Sequence, residues 1–106
     1  MFRPPMNLLG KTTLSNGLEL FREEIVAEQA ASLGHHGRKA EAALAALRAW
    51  DAGERGKMTR QAVVEAASKA VWAYFVQREL CGLRDERQVI REMGIPPEVL
   101  NRLGAA

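Results

Sequence analysis

Cysteine, proline and charge of one sign are all in short supply in this chain of 106 residues. The only cysteine, Cys81, cannot close an intrachain disulfide, so the fold is not a disulfide-stapled scaffold. It sits beside Leu80 on an apolar stretch, where a thiol acts as a small hydrophobe, and Arg78 alone is too little base to make it reactive. Four prolines and abundant alanine favour helix over sheet. The net charge is +2, too small to argue for nucleic acid. Charge is unevenly spread, with +2 over residues 1–17, −3 over 18–34 and +3 over 35–60, a pattern that helix dipoles readily account for. No long apolar run occurs: Ala70–Val76 is far shorter than the ~20 residues that span a bilayer. The opening MFRPPMNLLG lacks the apolar core of a signal peptide, so the expectation is a cytoplasmic protein without membrane contact.

What the chain does contain is helix-periodic apolar sequence. Ala70–Leu83 (AVWAYFVQRELCGL) carries Trp72, Tyr74 and Phe75 on a helix apolar over most of its circumference, which must be covered on nearly every side. Upstream, Leu18, Phe21 and Ile25, then Val26, Ala30, Leu33, Gly37, Ala40, Leu44 and Leu47, recur at three- and four-residue steps. That phase survives Gly34-His35-His36-Gly37, predicting one helix over 18–51, with a kink or break at 34–37 as the alternative. Asn16 with Glu19 has capping-box spacing at its start. Gly53–Met58 reads as a linker, and Thr59 caps a second helix over 60–81 that Gly82 terminates. So short a connection makes the two helices antiparallel. Asp85 and Gln88 open a short helix to Met93, and Pro97 starts another to about residue 103. Residues 1–15, with Pro4, Pro5 and Gly10, read as an extended arm that is either disordered or laid across a groove between helices through Leu8, Leu9 and Leu14. The fold class is all-α: one domain over 1–106, built as a long helical hairpin with two short C-terminal helices that pairs into a bundle.

The stretches VWAYFVQRELCGLRD and VIREMGIPPEVLNRLGA, with ALAALRAWDA before the linker, resemble a family of small uncharacterised helical proteins from proteobacteria. The resemblance implies a helical fold. It carries no activity.

No catalytic or metal signature stands out. Adjacent His35 and His36 point about 100° apart on a helix, and no Glu-x-x-His accompanies them, so a surface pair is the simpler reading than a metal site. Glu23, Glu24 and Glu28 read as a solvated face. Ser15, Ser32 and Ser68 lack a nucleophile elbow, and Gly53-x-x-Gly56-Lys57 is too short for a phosphate loop. Glu65 and Lys69 form an i,i+4 pair. Gln77-Arg78-Glu79 has two readings, a helix emerging into solvent or a half-buried pair that sets register with a neighbour. The expected function is a non-enzymatic structural or interaction module without cofactor, a homodimer contacting through Phe21, Ile25, Trp72 and Phe75. In that reading Trp72→Ala costs about 3–5 kcal/mol. The alternative is a small DNA-binding regulator using VIREMGIPPEVLNRL as a helix-turn-helix. The zero net charge of residues 84–106 and a reading helix offering Glu98, Asn101 and Arg102 speak against it.

Overall fold

Helix α1 spans Arg3–Asp51, α2 Arg60–Leu80, α3 Arg87–Met93 and α4 Pro97–Leu100. The structure is a computed structural model that describes the backbone of residues 3–104 and the side chains of residues 16–104. Every regular element among the described residues is helical, as the alanine-rich periodic sequence predicts. None of these helices is long and apolar enough to cross a membrane.

The segment expected as an extended arm is helical from Arg3. Pro4 and Pro5 fall in the first turn, where backbone N–H groups have no intrahelical acceptor and a proline removes nothing. Asn16 is therefore inside the helix and not its cap. The groove expected for Leu8, Leu9 and Leu14 lies outside the described side chains. Helix α1 also runs through Gly34–Gly37 without a break, so the preserved phase was the better guide than the two glycines.

The chain divides into two compact units, Met1–Ala31 and Ser32–Ala106. In the first, every side chain described, from Asn16 to Ala31, is exposed. In the second, the stretch of α1 after Ala31 and helix α2 form the expected antiparallel hairpin. Gly37 stands against the Tyr74 ring at one end, and Asp51 pairs with Arg60 at the other. Ala40, Leu44 and Leu47 of α1 meet Val63, Val64, Ala67, Val71 and Phe75 of α2, and Val89, Ile95 and Val99 close the core. Burying one such aliphatic side chain contributes about 1.5–3 kcal/mol, so this cluster accounts for most of the unit's stability.

Helices α1 and α2 stop by the same device. Gly53 (φ 100°) and Gly82 (φ 84°) sit just past the helices in the left-handed region open to glycine. The Glu54 N–H donates back to Ala49 O at 2.9 Å, and the Leu83 N–H to Arg78 O at 2.8 Å. Between the two helices the linker folds over Trp50. The indole Nε1 donates to Met58 O at 3.3 Å, and the Arg55 guanidinium lies 4.2 Å from the ring centre. Thr59 caps α2 as expected, its Oγ1 accepting from the Ala62 N–H at 3.1 Å. Asp85 accepts from the Arg87 N–H at 3.1 Å, so α3 starts later than the Asp85–Gln88 spacing implies. Helix α4 covers Pro97–Leu100 and gives way to turns where helix to 103 was expected.

Candidate functional site

Leu18, Phe21 and Ile25 are three and four residues apart, which puts them on one face of α1. All three are exposed, by 57, 61 and 40 per cent, and Leu20 and Val26 beside them are open as well. Soluble chains seldom leave large apolar side chains contiguous in water. Glu19, Arg22, Glu23, Glu24 and Glu28 lie on the same stretch of helix.

The two other residues expected at an interface part company. Phe75 is 4 per cent exposed and belongs to the chain's own core, whereas Trp72 is 48 per cent exposed. Residues 72 and 75 are three apart and so neighbours on α2, with Phe75 inside the core and Trp72 at its edge. Part of the Trp72 ring lies near Gly104. With Val76, Leu80 and Leu83 it leaves a second open apolar strip on the Ser32–Ala106 unit.

Two polar devices hold that unit together, and neither stands out in the sequence. Arg60 occupies the first position of α2 and reaches both Asp51 and Glu98. Its Nε and Nη2 donate to the Asp51 carboxylate at 2.7 and 3.1 Å, and Nη2 and Nη1 donate to Glu98 at 2.6 and 2.9 Å. These hydrogen bonds hold both carboxyls below their ordinary range and push the Arg60 pKa further up. A cation at a helix N-terminus opposes the macrodipole, and two bidentate carboxylates offset this. That mismatch was the signal a sequence reading could have used. Ser68 is buried, its hydroxyl within reach of Val64 O (3.0 Å) and Val99 O (3.2 Å), which ties α4 to α2. Glu65 pairs with Arg102 at 2.8 Å rather than with Lys69.

In the polar triplet Gln77 and Arg78 are half-buried and Glu79 is exposed. Arg78 Nη2 donates to Asp85 O at 3.0 Å, so it holds the connection between α2 and α3. It borders a cleft of about 510 Å3 with Glu41, Arg48, Tyr74 and Glu92. Two cations and two carboxylates there give no preference for a ligand of either sign. His35 and His36 stack edge to face, 5.5 Å between ring centres. Among the described residues no group of three or more His, Cys, Asp or Glu is placed to hold a metal. Cys81 is half-buried at the end of α2, with Gln77 Nε2 3.9 Å from its sulfur. In the segment read as a possible helix-turn-helix, Val99 is buried, Glu98 is engaged with Arg60 and Arg102 with Glu65. A four-residue α4 with no cation of its own, followed by an Arg102 so engaged, has little to offer a phosphate backbone.

No curated protein matches the chain, and no solved structure does. One family model does, over residues 2–106, in keeping with the resemblance to uncharacterised helical proteins. The chain belongs to that family, a family of unknown function (DUF6665).

Proposed function

We propose that this protein is a non-enzymatic helical interaction module that works as a cytoplasmic homodimer, joined through the exposed apolar face of the Met1–Ala31 unit. The observation that carries the reading is the openness of Leu18, Phe21 and Ile25, on a helix with no described side chain buried before Ser32. A helix of this length without tertiary cover is marginal in water, because most helical stability in proteins comes from packing an apolar face. A second copy supplies that packing, and two-fold dimers are the commonest oligomers. Light scattering at about 100 µM, a concentration at which even weak dimers populate, gives twice the chain mass. Phe21→Glu returns the monomer while leaving the melting of the Ser32–Ala106 unit in place. A wild-type chain that stays monomeric at that concentration sinks the reading.

A further inference from the structure

We infer that the open apolar face of one copy seats in a basic groove on the Ser32–Ala106 unit of the other, guided there by carboxylate–lysine pairing. This rests on the self-association proposed above and names the surface that receives the face. The groove holds about 350 Å3 between α1 and α2. Ala66, Lys69, Ala70 and Ala73 of α2 line it, with His36 and Lys39 of α1. No carboxylate is part of that lining, in contrast to the cleft beside Arg78. Among the described residues neither Lys39 nor Lys69 makes a salt bridge, because Glu65, one turn before Lys69, is taken by Arg102. The groove therefore offers methyl surface and two ammonium groups that no anion of the described chain neutralises.

The face made by Leu18, Phe21 and Ile25 carries the opposite sign. Residues 18–31 hold four glutamates and one arginine, a net charge of −3. Glu24 and Glu28 stand three residues after Phe21 and Ile25, so they border the apolar face along one side. Charge then chooses among the surfaces that could cover it. The same face of a second copy sets −3 against −3, and like charges across an interface are unfavourable. The strip at Trp72 has exposed Glu79 three residues after Val76 and beside Leu80, so it brings a carboxylate of its own. In the basic groove Glu24 and Glu28 meet Lys39 and Lys69, while the apolar side chains leave water against alanine. Each copy has one face and one groove, so two copies fill both and the assembly closes as a two-fold pair.

Charge reversal on separate chains tests the seat. One variant carries Lys39→Glu and Lys69→Glu in the groove, and the other carries Glu24→Lys and Glu28→Lys beside the face. All four positions are exposed, so both variants melt within a few degrees of wild type. Each alone dimerises roughly tenfold more weakly in light scattering across a dilution series, since like charges meet in both contacts. Mixed one to one, the two variants form a heterodimer with a dissociation constant within about threefold of wild type, because both contacts again set carboxylates against lysines. A groove variant that dimerises as tightly as wild type overturns the groove as the seat and leaves self-association standing. A mixture that associates no better than its separate parts overturns the pairing of this face with this groove. A wild-type monomer overturns self-association itself.

Discussion

Half-buried Arg60 joins the end of α1, the start of α2 and the start of α4. Hydrogen bonds from its guanidinium lower the pKa values of Asp51 and Glu98 from ordinary values of 3.8 and 4.5. A carboxyl held lower in the folded state contributes stability that is complete above its ordinary value and is lost as pH falls through the folded one. The melting temperature should therefore hold from neutral pH to about 5 and fall as the pH drops below 4.5. In Arg60→Gln it starts lower and the acid-side slope flattens; an unchanged slope in that variant would show that other carboxyls govern acid unfolding. Apolar side chains divide just as clearly. Leu44 is 1 per cent exposed, so Leu44→Ala costs about 2–5 kcal/mol in urea titration. Half of Trp72 is in water, so Trp72→Ala costs about 2 kcal/mol, below the 3–5 of a buried ring. A loss of about 3–5 kcal/mol would mean that something other than this chain covers the indole.

At the scale of the element, α1 carries four interior glycines, two of them at positions 34 and 37 beside the core, where alanine is worth about 1 kcal/mol more each. Their surroundings differ. A Cβ at position 34 would meet only the Nη1 of Arg38, at 3.1 Å, the far end of a flexible exposed side chain. At position 37 it would come within 3.2 Å of the Tyr74 ring, which α2 holds against α1. Gly34→Ala should therefore stabilise by about 1 kcal/mol, and Gly37→Ala by clearly less or not at all. Chemical denaturation of the two variants decides it, and equal gains would show that the helices separate without strain. The glycine at 37 is thus explained by the close approach of the two helices, while nothing comparable surrounds position 34.

For the whole molecule, every buried residue described lies between Ala40 and Val99, inside the Ser32–Ala106 unit. A chain beginning at Ser32 should fold alone, melt within a few degrees of the full-length protein at low concentration, and stay monomeric. If it unfolds, the earlier part of α1 contributes to the core. Much of this arrangement was legible in the sequence. Period and caps are local properties, so the spacing through Leu47, Thr59 and Gly82 placed both long helices and their antiparallel return. The same periodicity put Leu18, Phe21 and Ile25 on one face of α1. Three matters were settled only in three dimensions. The arm before Ser15 is helical, since prolines in a first turn cost no hydrogen bond and composition alone does not separate that case from a loop. Phe75 is enclosed and Trp72 half open although they are neighbours on α2, and which of the two is enclosed depends on contacts far apart in the chain. Arg60 found Asp51 and Glu98, the latter 38 residues away, and an ion pair at such separation leaves no periodic trace. Local pattern determined the helices and the open face of α1, and long-range packing decided which aromatic residue fills the core.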